Sequence, residues 1–270
     1  MTNEIRVLAF DTFGTVTDWF TGISGAVAAA APGVDTAEFA WRWRGKYAPI
    51  LARVESGDLP WRGLDDLQTE TLHEVAADLG LTIADDDALR LVRAWREIPG
   101  WPDAADGLVR LRTRFTVCAL SNGSVAMLTE MSKRNGFGWD FIGGSDLWRH
   151  YKPAREVYCG FAELMEVEPG QVLMVATHQS DLDAARSFGL DGSRVGLHYE
   201  HFGTEALGEG VPEAEAGDAV AQRVDRKRHA DHEGQEQPGA DHPGIAADRV
   251  PGAECRDAHD HRQQQVGIAD

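Results

Sequence analysis

The chain has 270 residues, enough for one large domain or two modest ones around a proper core, so no metal or disulfide staple is required to hold it together. A formal net charge of −18 repels a phosphate backbone, and with no dense Lys/Arg face to offset it the composition disfavours nucleic acid as a partner. Three cysteines without a Cys-x-x-Cys spacing argue against a disulfide framework. No apolar stretch is long enough to span a bilayer, and the opening Met-Thr-Asn-Glu-Ile-Arg lacks the pattern of a signal peptide, so the expectation is a cytoplasmic protein without membrane contact.

Arg6-Val7-Leu8-Ala9-Phe10 is a short apolar run ending at Asp11 and a Thr/Gly segment, which predicts a buried parallel strand with a loop at its carboxyl end. From about Thr17 to Pro99 no comparable strand occurs, but helical periodicity is strong. Phe39, Trp43, Tyr47, Ile50 or Leu51, and Val54 share one face, and Leu64, Leu67, Thr71, Val75 and Leu79 share another. Helical patterns follow at Asp103 to Arg112, at Val125 to Arg134 before Asn135-Gly136, and at Arg155 to Met165 before Glu168-Pro169-Gly170. Between them, Phe115 to Leu120 and Val172 to Ala176 read as further buried strands, each ending in polar residues.

Strands alternating with helices predict an α/β fold, a doubly wound parallel sheet, with residues 17–99 as a helical cap inserted after the first strand. The expected core is then 1–16 with 100–207. Ligands of such sheets bind outside the carboxyl ends of the strands, where the cap would close. After about Gly192 the composition turns to Gly, Asp, His, Arg and Gln, so Gly208 to Asp270 is expected to be disordered or atypical. A shift of reading frame near Gly192 is one hypothesis for so abrupt a change, since the fold calls for another apolar strand there.

Asp11, where a strand hands over to Thr12-Phe13-Gly14-Thr15, is placed either to act as a nucleophile or merely to cap the next turn. Ser121 and Asn122, Lys152 before Pro153, and Asp181 would converge on the same sheet edge, bringing hydroxyl, amide, ammonium and a second carboxylate around it.

Phe10-Asp11-Thr12-Phe13-Gly14-Thr15, Leu120-Ser121-Asn122-Gly123, Tyr151-Lys152-Pro153 and Val175-x5-Asp181 together resemble the four ordered motifs of the haloacid dehalogenase superfamily, over roughly the first 190 residues. Trp43-Arg44-Gly45-Lys46-Tyr47 is similar to the cap of its type II members, the 2-haloacid dehalogenases, including relatives active on fluoroacetate. Most superfamily members are magnesium-dependent phosphatases with a second Asp two residues after the nucleophile. Here that residue is Phe13. Phosphate-ester cleavage needs that acid and a metal, whereas a halide leaves as a stable anion, so Phe13 favours carbon–halogen cleavage with no metal and no cofactor.

The resemblance implies that Asp11 attacks the halogen-bearing carbon of a small haloacid to form an ester, which water hydrolyses to the 2-hydroxy acid with overall inversion. Lys152 would keep Asp11 ionised, an attraction of about 4 kcal/mol at ~4 Å and an effective dielectric of ~20. Thr15 would orient Asp11; Asp181 would position water, act as base or partner Lys152, with helix capping as its plainer role. Ser121, Asn122 and amides near Thr12 would hold the substrate carboxylate, with Phe13 beside them, and Asn122 would be able to serve the halide too. Arg44 best matches the halide-binding arginine and Arg42 competes with it. Tryptophans 41, 43, 61, 95 and 101 either line a dry pocket or, at helical spacing, fill the core.

Thr177-His178-Gln179 departs from the type II Ser-Asn pattern, so His178 either assists hydrolysis or halide departure or is a supporting, hydrogen-bonded residue. The family's final strand and helix are not recognisable after Gly192. A homodimer is compatible with the apolar helices, as in relatives. The alternatives are a phosphatase of the same superfamily and a catalytically impaired relative.

Overall fold

The computed structural model describes residues 4–194 and Cys255. The expectations for 208–270, including the shifted-frame hypothesis, fall outside these residues apart from Cys255. Among the described residues five parallel strands form one sheet in the order β3-β2-β1-β4-β5: β1 Val7–Phe10, β2 Thr116–Ser121, β3 Phe141–Gly144, β4 Val172–Ala176 and β5 Asp191–Arg194. β1 is central, with Phe10 level with both Ala119 and Val175. The chain leaves β1 for β2 on one side and reaches β4 on the other. The strand order thus reverses beside β1, and the carboxyl end of β1 is where an open α/β sheet receives its ligand.

Period-two alternation sorts the strand side chains. Leu8 and Phe10 face Leu108 and Leu111 of α5 (Ala104–Arg112), with Val117 and Val175. Val7 and Ala9 face Tyr158 and Phe161 of α7 (Arg155–Leu164) and Leu182 and Ala185 of α8 (Gln179–Ser187). Strands covered on both faces are apolar throughout, which is why the sequence shows β1 and β4 as unbroken apolar runs.

β5 supplies a strand where the sequence shows no recognisable apolar run. Asp191–Arg194 pairs in register with β4 although its sequence is polar, because an edge strand is held by main-chain hydrogen bonds and needs no apolar run. The cysteines depart from expectation. Cys159 of α7 is bonded to Cys255 across 96 residues. Spacing along a chain does not reveal such a long-range pair, and disulfides persist in oxidising surroundings, so cysteine usage lends no support to a reducing compartment.

Four helices lie between β1 and α5: α1 Trp19–Ala30, α2 Thr36–Glu55, α3 Leu64–Asp78 and α4 Asp85–Ala94. Asp18 and Asp35 cap the first two by accepting from Thr21 N and Glu38 N at 3.0 and 2.9 Å. Their inward faces make an apolar core of Ile23, Phe39, Trp43, Leu67, Leu72 and Trp95, among others. Phe13 and Tyr151 from the sheet loops and Met127 and Met131 from α6 (Val125–Asn135) join the same cluster, so the four-helix insertion and the sheet's edge share one apolar seam. The two connecting chains meet in a bridge between Thr17 and Gly100, with Asp18 N donating to Pro99 O at 2.8 Å and Trp101 N to Val16 O at 3.0 Å. Among the described residues no helix is long and apolar enough to cross a membrane.

Candidate active site

Asp11 is the first residue beyond β1 and its amide donates to Val175 O at 2.9 Å, so pairing with β4 continues up to the carboxylate. The loop then turns back sharply. Gly14 adopts φ +86°, a left-handed conformation that glycine reaches without Cβ strain, and Thr15 N and Val16 N donate to Thr12 O at 3.3 and 3.1 Å. The turn returns the Thr15 hydroxyl to Asp11 Oδ2 at 3.1 Å, and the same hydroxyl accepts from Thr177 N at 3.2 Å. One Asp11 oxygen is thus engaged by Thr15, which also ties Thr177, the first residue after β4, to the β1 loop.

Lys152 Nζ lies 3.5 Å from Asp11 Oδ1 and 2.7 Å from Asp181 Oδ2. Tyr158 of α7 donates its hydroxyl to the other oxygen of Asp181 at 2.6 Å. These groups are nearly removed from water: the side chains of Lys152, Asp11 and Asp181 are 7%, 11% and 9% exposed. One buried ammonium therefore serves two carboxylates. Burial drives the Asp181 carboxyl above its usual range; Lys152 opposes that rise and Asp11 adds to it. Burial likewise pushes the Tyr158 phenol up, and the Asp181 charge pushes it further, so the hydroxyl stays a donor at neutral pH. Asp181 sits in the first turn of α8, but the N-cap is His178; its carboxylate faces Lys152 and Tyr158 and is not used to cap the helix.

Around this array the strand ends carry buried polar atoms without a hydrogen-bond partner: the hydroxyls of Thr12, Ser121 and Thr177 and Nε2 of His178. Each such group costs about 1–3 kcal/mol when left unsatisfied, so a small polar ligand at this edge would be stabilised by several of them at once. Asn122 uses its side-chain oxygen to accept from Lys152 N at 2.7 Å, so its amide NH2 is the part of the side chain that can donate.

Arg42 and Arg44 are now distinguished by position. Arg42 turns outward and pairs with Glu38 at 2.6 Å on the exposed face of α2. Arg44 turns inward, its guanidinium 4.1 Å from the ring centre of Tyr47 and 5.7 Å from that of Trp19. The Tyr47 phenol is pushed up to about 12 by burial, opposed by Arg44 and by a side-chain hydrogen bond from Asn122 and reinforced by Asp11 and Asp181. Tyr47 thus reaches from the insertion to the strand-end groups.

Phe13 is buried in the apolar seam, edge-on to Trp95 at 5.8 Å. The residues do not fit a divalent cation here: the position two beyond Asp11 is aromatic, and Asp181 already holds an ammonium. Of the tryptophans, Trp43 and Trp95 are core, Trp43 donating Nε1 to Gln68 O and Thr71 Oγ1, both at 3.1 Å. Trp61 stacks on Tyr151, Trp101 donates to Gly14 O, and Trp41 is 42% exposed against Trp19. Tyr158 and Tyr47 are the site residues that sequence reasoning did not single out. Tyr158 lies among the apolar residues of α7 and carries no local mark, whereas Tyr47 stands one helical turn from Arg44, a spacing that puts both on one face.

Comparison with known proteins agrees with this geometry. A family model described as haloacid dehalogenase-like hydrolase matches residues 5–189. (S)-2-haloacid dehalogenase 4A of Burkholderia cepacia is 25% identical over 72% of this chain and 84% of its own length. The (S)-2-haloacid dehalogenase of Xanthobacter autotrophicus is 27% identical over 71% and 75%. Among solved structures, a defluorinating L-2-haloacid dehalogenase superposes with a TM-score of 0.75 at 33% identity, covering 82% of this chain and 98% of that one. The Xanthobacter autotrophicus L-2-haloacid dehalogenase with chloropropionic acid covalently bound gives 0.66 at 26% identity, over 71% and 77%.

Proposed function

Because the chain belongs to the haloacid dehalogenase-like hydrolases, we propose that it is a hydrolytic 2-haloacid dehalogenase in which Asp11 displaces halide from a haloacetate or a small L-2-haloacid. The observation that carries this reading is the buried array of two carboxylates on one ammonium at the carboxyl end of β1, with an aromatic residue where phosphoryl chemistry calls for an acid.

In the first step an Asp11 oxygen attacks the carbon opposite the halogen. A C–O bond forms, the C–halogen bond breaks, and halide leaves with the electron pair. Thr15 holds the carboxylate in direction, and the Lys152 ammonium lies against its other oxygen. Arg44, the amide NH2 of Asn122 and the Tyr47 hydroxyl stabilise the departing anion. Thr12, Ser121 and the loop amides, with Phe13 behind them, take the substrate carboxylate. His178, at the same strand end, adds a further polar contact to the bound acid.

In the second step water adds to the Asp11 carbonyl and the adduct collapses by breaking the ester C–O bond on the enzyme side; the expelled alkoxide takes the remaining hydroxyl proton of the adduct, releasing the 2-hydroxy acid and restoring the Asp11 carboxylate. Asp181 takes the proton that water loses, a role suited to a carboxyl made more basic by burial. The four helices act as a cap, residues 17–99, over a core whose described part is 4–16 and 100–194. Neither step uses a metal or cofactor.

Halide release from L- and D-2-chloropropionate, chloroacetate and fluoroacetate without added metal tests the reading, with Asp11→Asn as control. Release that disappears in the variant supports it. No release by folded wild-type protein, with magnesium-dependent phosphate release in its place, would overturn it.

A further inference from the structure

We propose that Glu55, the last residue of α2, is a positioning residue for Lys152: its carboxylate grips the loop that delivers the lysine, so that seating the helical insertion on the sheet and aligning the ammonium are a single event. The inference rests on the reading of Asp11 and Lys152 as a reacting pair and adds to it a residue from the insertion.

Glu55 Oε1 accepts from Tyr151 N at 2.6 Å and Oε2 faces His150 Nδ1 at 3.0 Å, across 96 and 95 residues of chain. A carboxylate at a helix carboxyl terminus faces the negative end of the helix dipole, an unfavourable placement for the helix alone. The two donors from the 150–151 loop offset that cost. A charge-assisted bond to a main-chain N–H is also directional in a way that apolar packing is not.

Tyr151 is fully buried and is held by the insertion at two further points. Its hydroxyl donates to Arg62 O at 2.7 Å and its ring stacks on Trp61 with centroids 6.4 Å apart. The next amide, Lys152 N, donates to Asn122 Oδ1 at 2.7 Å. Consecutive peptide units are therefore fixed by a side chain of the insertion and a side chain of the sheet. Only the four-carbon stem of Lys152, itself buried, separates this clamp from the ammonium between Asp11 and Asp181.

The experiment compares wild-type protein with Glu55→Ala and Glu55→Gln, the latter keeping an acceptor oxygen for Tyr151 N. Halide-release kinetics are read alongside the 13C titration of the Asp181 carboxyl, assigned by its loss in Asp181→Asn, and the thermal midpoint. The groups facing Asp181 are Asp11 from the β1 loop, Lys152 from the clamped loop and Tyr158 from α7. A misplaced catalytic group costs up to about a hundredfold per ångström, so Glu55→Ala is expected to lower kcat by about tenfold or more while KM moves less than about threefold. It also moves the Asp181 titration to higher pH as Lys152 opposes it less. Glu55→Gln recovers most of both. A lowered thermal midpoint with unchanged kcat and unchanged Asp181 titration would reduce Glu55 to a packing role and overturn the proposal. If Glu55→Ala does not fold, Glu55→Asp, which keeps the charge but shortens the reach by a methylene, carries the same expectations and the same refutation. Should wild-type protein release no halide, the functional reading fails separately. The Asp181 titration then decides on its own: a shift in the variant sustains the link from Glu55 to Lys152, and no shift ends it.

Discussion

Replacing Lys152 with methionine removes the ammonium but keeps most of its stem. At an effective dielectric of ~20, the 2.7 Å contact with Asp181 and the 3.5 Å contact with Asp11 correspond to gross attractions of about 6 and about 5 kcal/mol. The net loss is smaller, about 3–5 kcal/mol, because desolvation of the lysine is also relieved and one carboxyl takes up a proton. With oxygens of both acids close to the same missing nitrogen, their charges cannot both persist at little cost, so one acid of the pair stays protonated to higher pH than in the wild type. A carboxyl whose folded pKa lies above its unfolded value binds more protons in the folded state, so stability falls as pH rises through the interval between the two. The wild-type Asp181 carboxyl is already raised, and the variant's rises further. The gap in unfolding free energy between wild type and Lys152→Met is therefore small near pH 4, widens toward pH 8 and flattens above the folded-state titration. Urea unfolding at a series of pH values measures it, with halide release at pH 7 expected to be lost. A gap of constant size across that range would refute the shared-ammonium argument.

Phe13→Asp places a carboxyl in the apolar seam against Trp95 and is expected to cost about 3–5 kcal/mol by urea unfolding. It should confer no magnesium-dependent phosphate release; gain of that activity in a stable variant would contradict the burial argument. Gly14→Ala forces a Cβ into φ +86°, costing about 1–2 kcal/mol. Because Thr15 follows directly, kcat should fall with stability, and an unchanged kcat would separate the turn from the orientation of Asp11. The Cys159–Cys255 bond closes a loop of nearly a hundred residues, so reduction should lower unfolding stability by about 2–4 kcal/mol. Denaturant curves with and without dithiothreitol, alongside thiol counting, measure this; two equal curves from protein shown to be oxidised would contradict it.

Much of the sheet was legible because a strand covered on both faces must be apolar, and β1, β2 and β4 are; the 3.6-residue periodicity of α2 and α3 was legible for the corresponding reason. Asp11, Ser121, Lys152 and Asp181 could be singled out because each stands where a buried run or its following loop turns polar, and parallel strands bring such ends to one edge. β3, with two glycines in four residues, and the polar edge strand β5 carry no such signal, since main-chain pairing does not depend on side-chain type. Arg42 and Arg44 lie about 200° apart around a helix of ~3.6 residues per turn, so sequence could place them on different faces without saying which face is inward. Glu55 with Tyr151, Tyr158 with Asp181, and Cys159 with Cys255 depend on contacts between residues far apart in the chain. Local chemistry specifies which groups end a strand or share a helix face, whereas packing of whole elements alone decides which distant groups are brought within hydrogen-bonding or bonding distance.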